Sequence, residues 1–145
     1  MSLLLHISDT HFGTEQPLVV DALRRMAHEL RPDVVVLSGD ITQRARSAQF
    51  AAAREFCDSL NVPRLLALPG NHDIPLYNLW ARIFHPYRGY RAAFGDELEP
   101  ELDLDDLLVV GVNTTRPVRQ KDGEVSRSQI ERVSGGVRSP RGAQL

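Results

Sequence analysis

A single cysteine, Cys57, stands in the whole sequence, so no internal disulfide forms and folding owes nothing to an oxidising compartment. It falls between Phe56 and Leu60 in a helical pattern, the setting of a packed core thiol rather than a reactive one. Charge of one sign is lacking as well. Seventeen Lys and Arg against 19 Asp and Glu leave a formal net charge of −2. That balance exerts no broad pull on polyanions, which argues against a nucleic-acid coat protein or a membrane-surface binder. No apolar run approaches the roughly 20 residues of a membrane span. The run from Leu3 to Ile7 is too short for a secretory signal and lacks its basic flank and cleavage site, so a cytoplasmic location is expected. Internal repeats are absent.

What is present has the ordinary composition of a globular domain, 42% hydrophobic and 25% charged over 145 residues. Leu3 to Ser8 reads as a short strand ending at Asp9. Pro17 suits the first turn of a helix in which Val19, Ala22, Leu23, Met26, Ala27 and Leu30 recur at helical spacing. Val34 to Leu37 is a β-branched strand ending at Gly39-Asp40. A second helix follows through Phe50, Ala53, Phe56, Cys57 and Leu60, with Ser47 as its cap. Pro63 to Leu68 is a third apolar run, ending at Pro69-Gly70-Asn71-His72-Asp73. This alternation predicts an α/β fold with a βαβαβ parallel core, its strands covered on both faces.

The later segments are less regular. Leu79 to Phe84 has a helical pattern, the acidic stretch Asp96 to Asp106 holds an edge strand and a turn, and Leu107 to Val112 is a fourth strand. Ser126-Arg127-Ser128-Gln129 matches a capping box and starts a helix through Ile130 and Val133. From Ser134 the periodicity stops, so residues 1–133 are expected to form the domain and 134–145 an irregular tail.

The chemistry gathers at three strand ends. In open α/β sheets, ligands collect outside the carboxyl ends of the strands, which would bring Asp9, His11, Asp40, Asn71 and His72 together. Residues two apart in extended chain face the same way, so Asp9 and His11 could grip one cation. Asp40, with two oxygens, could bridge it to a second, and Asn71 offers that ion a neutral carbonyl. His28 is expected to be solvated, His6 to be a packed core residue, and His85 to stand near Tyr87 and Arg88 outside any motif.

Ser8-Asp9-Thr10-His11-Phe12-Gly13, Gly39-Asp40 and Gly70-Asn71-His72-Asp73 resemble, in order, the first three motifs of the calcineurin-like metallophosphoesterases. Ser38 to Arg44, Pro69 to Asn78, and Lys121-Asp122-Gly123 with Ser126 and Gln129 look most like the cyclic-nucleotide phosphodiesterase branch. The resemblance covers residues 1 to 133. It implies the N-terminal part of a four-layer αββα sandwich and a dinuclear site of manganese, iron or zinc. Asp9 and His11 would hold the first ion, Asp40 would bridge both, and Asn71 would bind the second. His72 would assist the leaving oxygen, and a hydroxide bridging the ions would attack a small-molecule phosphate ester. Arg44 falls where phosphatase members place a phosphate-binding arginine. Gln43 stands where those members carry an acid that orients the histidine, so an Asp–His relay is not implied.

The family pattern continues with a further histidine and a Gly-His-x-His motif, neither of which follows here. That leaves the second ion's site incomplete and two readings open: a fragment, whether truncated, incomplete or frameshifted, or a short non-catalytic relic holding one ion. An exonuclease-type member is a further alternative, disfavoured by the low charge and lack of a basic stripe. Uncovered apolar surface would invite a homodimer.

Overall fold

The structure, a computed structural model, describes residues 1–119 and 122–138. Three strands, β1 (Leu4–Ser8), β2 (Val34–Ser38) and β3 (Leu65–Ala67), form a parallel sheet in the order β1-β2-β3. Helices α1 (Pro17–Leu30) and α2 (Ser47–Ser59) make the crossovers. Pro17 opens α1, where its missing N–H is no loss, and Arg31 closes it in the left-handed region at φ 49°. Ser47 is the first helical residue of α2 rather than its cap. The Gln49 Oε1 atom takes over part of the capping role by accepting the Arg44 and Arg46 N–H groups at 3.0 and 3.3 Å. After β3 come a single 3-10 turn (Asn71–Asp73), the short helices α3 (Leu79–Phe84) and α4 (Arg88–Phe94), an antiparallel pair β4 (Glu101–Asp103) and β5 (Leu108–Val110), and α5 (Arg127–Arg138).

The α/β expectation holds, and the two faces of the sheet are buried by different means. Ile7, Val35, Leu37 and Ala67 pack with Phe12, Phe50, Phe56, Cys57 and Leu60 under the helices. Val34, Val36 and Leu66 pack under the β4–β5 hairpin through Leu102, Leu104, Leu107 and Val109. The fourth apolar run therefore belongs to a covering layer of its own and not to the parallel sheet. Central β2 is closed on both sides, with Val34, Val35 and Leu37 fully buried.

The edge strand β1 departs from that pattern. His6 and Ser8 lie exposed on the hairpin side, and His6 Nε2 meets Ser38 Oγ at 2.7 Å. His6 is thus a surface residue and not the core residue expected, because the hairpin reaches β2 and β3 but leaves this part of β1 uncovered. His28 is exposed, as expected, and its ring bonds Ser59 O at 2.8 Å.

The capping box at α5 forms as read, with the Ser126 N–H donating to Gln129 Oε1 at 2.8 Å and the Gln129 N–H to Ser126 Oγ at 3.3 Å. The helix does not stop at Val133 but runs on to Arg138. Glycine at 135 and 136 costs a helix only about 1 kcal/mol each, too little by itself to end one already nucleated. Residues 139–145, the rest of the expected tail, lie outside the described residues, as does Lys121. Among the described residues no helix is long and apolar enough to cross a membrane. α3 presents Leu79, Trp80, Ile83 and Phe84 to solvent.

Cys57 is 3% exposed, and burial pushes its thiol up to about 12. The thiolate is the reactive form, so the native chain should resist dithionitrobenzoate at pH 8 and react fully in 6 M guanidinium. Fast labelling under native conditions would mean that α2 does not pack on the sheet as described.

Candidate active site

The three motif loops meet beyond the carboxyl ends of β1, β2 and β3, and main-chain bonds stitch them together. The first loop zips onto the second: the Asp9 N–H donates to Ser38 O at 3.0 Å, His11 N–H to Asp40 O at 3.0 Å, and Phe12 N–H to Ile41 O at 2.8 Å. Asp9 and His11 are not extended. Both adopt positive φ, 54° and 45°, so the alternation of an extended strand is not what aims their side chains. β1 ends at Ser8, and the turn that follows must bend to keep these bonds to β2's loop.

The second and third loops are joined by one buried carboxylate. Asp73 is 1% exposed. Its Oδ1 accepts the Thr42 N–H and hydroxyl, each at 2.7 Å, and its Oδ2 accepts Gly70 N–H at 2.9 Å and Ile41 N–H at 3.1 Å. Burial pushes the Asp73 carboxyl up to about 6, against the pull of these four donated bonds. Every partner is a donor, so the ionised form fits the cradle. Asp73 therefore positions the loops.

At the centre sits Asp40. Its Oδ1 accepts the His72 N–H at 3.0 Å, and its own N–H donates to Asp9 Oδ1 at 3.2 Å. Its Oδ2 lies 4.0 Å from His11 Nε2 and 3.9 Å from His72 Nε2. The two imidazoles stand edge to face with ring centroids 5.2 Å apart. Gly39 and Gly70 make this approach possible. A Cβ on Gly39, which sits at φ 73°, would fall 2.5 Å from Asp9 Oδ1, and one on Gly70 would fall 2.2 Å from Asp40 Oδ1.

Gln43 meets His72 through its backbone, since His72 Nδ1 lies 2.9 Å from Gln43 O. A carbonyl only accepts, so Nδ1 carries the proton and Nε2 is left facing Asp40. The sequence could not disclose this, because any residue at 43 supplies that carbonyl.

His11, Asp40 and His72 offer ligand atoms within 4.8 Å of one another. Among the described residues, His11 Nδ1 is a buried nitrogen with no hydrogen-bond partner. Two imidazoles and a carboxylate within such reach fit a divalent cation. Asp9, Asp40 and Asn71 line a cleft of about 430 Å³ together with Gly70, Thr114, Arg116, Arg119 and Asp122. Arg44 is exposed and not among the residues lining that cleft. The cations that do line it, Arg116 and Arg119, follow β5 of the antiparallel pair, so the strand-end rule for the parallel sheet did not single them out. His85 is exposed and also lies outside the cleft lining.

A parallel βαβαβ core that gathers aspartate and histidine at its strand ends defines a metal-dependent phosphoesterase architecture. Residues 3–138 match the calcineurin-like phosphoesterase family, and the chain belongs to it. Over 84 residues the chain is 39% identical to the glycerophosphodiester phosphodiesterase GpdQ of Enterobacter lignolyticus (strain SCF1). That match takes in 49% of this chain and 29% of the relative.

Replacing Asp73 with Asn turns one acceptor into a donor among four donors. Asp73→Asn should lower unfolding free energy by about 3 kcal/mol, read from the urea midpoint at pH 7.5. A midpoint unchanged within error would show that the clamp does not hold the loops.

Proposed function

We propose that this chain is the metal-binding part of a phosphodiesterase acting on a small-molecule diester, of the cyclic-nucleotide type suggested by its motif wording. The observation that carries the reading is Asp40, whose Oδ2 lies 4.0 Å from His11 Nε2 and 3.9 Å from His72 Nε2 and which lines a cleft with Asp9 and Asn71. Asp9, His11 and Asp40 are the ligands of a first cation, and Asp40 and Asn71 those of a second. When bound, two such ions lower the pKa of water and offset the charge that develops on phosphoryl oxygens.

The chain's own groups supply the rest. Gln43 O holds the Nδ1 proton of His72. That fixes the ring so that Nε2 can take up a proton and pass it to the leaving oxygen. The carbonyl also steadies the imidazolium that exists before that transfer. Asp73 keeps the loops of Asp40 and His72 in register. Arg44, if it meets the phosphate, must reach in from the exposed rim. The reading carries a cytoplasmic location and a homodimer, the latter supported by the apolar side chains that α3 exposes.

A second reading has its own support. His11, Asp40 and His72 form one compact donor group, suited to one ion, while Asp40 and Asn71 alone are a meagre shell for another. In that reading the chain is a binding domain without turnover.

Metal stoichiometry and hydrolysis separate the two. After dialysis against Mn²⁺, the diesterase reading expects two ions per chain and turnover of bis(p-nitrophenyl) phosphate. Asp40→Asn should cut that turnover by about 100-fold or more. One ion per folded chain with no turnover would sink the diesterase reading in favour of the binding domain.

A further inference from the structure

Arg116 and Arg119 line the same cleft as Asp9, Asp40 and Asn71, and their electrostatic settings differ. Arg119 is exposed and paired, its Nη1 lying 3.5 Å from Glu124 Oε2. Arg116 is half-buried, and among the described residues no carboxylate oxygen comes within 4.0 Å of its guanidinium. All its partners are neutral. Nη1 donates to Thr115 O at 2.9 Å and Asn113 O at 3.4 Å, and Nη2 donates to Gln129 Oε1 at 3.4 Å.

Those partners are themselves fixed. Gln129 Oε1 accepts the Ser126 N–H and hydroxyl at 2.8 and 3.0 Å, while its amide donates to Asn113 O at 2.9 Å and to Glu99. Asn113 and Thr115 are each 8% exposed, and Thr115 Oγ1 meets Tyr87 Oη at 2.6 Å. Glu99 is committed to Arg132 at 3.2 Å and to the Asn113 N–H at 3.0 Å. The result is a guanidinium held by dipoles, without a close ion pair and with only the longer-range attraction of Glu99, on the wall of a cleft whose other charged side chains include three aspartates. A cation left unpaired at partial burial is costly unless an anion completes it.

We propose that Arg116 is a substrate-binding residue, whose guanidinium takes the non-bridging oxygens of the phosphoryl group entering the cleft. A phosphate ester offers two or three such oxygens in the spacing a planar fork matches. The carboxylates around Asp40 would repel that anion, and a fixed cation in the same cleft would set which way the ester lies. This inference rests on the phosphoesterase reading of the cleft and adds to it the group that selects for a phosphoryl anion.

The test is calorimetric titration of inorganic phosphate into the Mn²⁺-loaded chain, with Mn²⁺ affinity measured in parallel on every variant. Arg116→Gln should bind phosphate about tenfold more weakly and Arg116→Lys about threefold, with Mn²⁺ affinity unchanged in both. Phosphate affinity within error of wild type in Arg116→Gln overturns the proposal. Should that variant also lose Mn²⁺, its fold is broken, and Arg116→Lys decides by the same comparison. A wild-type chain that binds Mn²⁺ but no phosphate overturns the role of Arg116 and leaves the cation site standing. One that binds no Mn²⁺ removes the phosphoesterase reading as well.

Discussion

The joining of the second and third motif loops at the mouth of the sheet depends on the buried carboxylate of Asp73. Parallel strands deliver their loops to one edge, but loops carry backbone polar groups that must be satisfied once they are packed. Asp73 accepts four donors from the β2 and β3 loops with a single side chain, at a site water does not reach. The cost of burying the charge is offset only with all four bonds in place, so the arrangement tolerates one relative placement of the two loops. Asp40 and His72 inherit their separation from it.

The cleft that results carries charge of both signs. Asp9 and Asp40 stand at the strand ends of the parallel sheet, and Arg116, Arg119 and Asp122 arrive from the segment after β5. The neighbouring hairpin serves two ends at once. It buries Val34, Val36 and Leu66, and the chain leaving it carries Thr114, Thr115 and Arg116 to the cleft wall. Coupling a covering layer to a binding wall means that core packing on that face also decides where the guanidinium sits.

Much of this was legible in the residues themselves. The strands and crossover helices of the core follow from apolar runs and helical periodicity, because both are local and repeat several times. The α5 cap was legible for the same reason, since Ser126 and Gln129 lie three residues apart. The misreadings arose where a neighbour distant in sequence decides. His6 sits amid an apolar strand, yet among the described residues the hairpin layer leaves its part of β1 uncovered. Asp9 and His11 alternate like strand residues but turn through positive φ to meet the second loop.

The sequence by itself determined the inventory: which residue types stand at the ends of which strands, and hence the motifs of a calcineurin-like phosphoesterase. That information is local, written in motifs a few residues long. Tertiary structure alone decided how the inventory is wired. Gln43 acts on His72 through a carbonyl common to all residues. Asp73 is a clamp because two loops some thirty residues apart close around it. Arg116 has only neutral hydrogen-bond partners because the groups that reach its guanidinium across the fold are carbonyls and an amide. Which dipole meets which charge depends on distances between segments, and those distances exist only once the chain has folded.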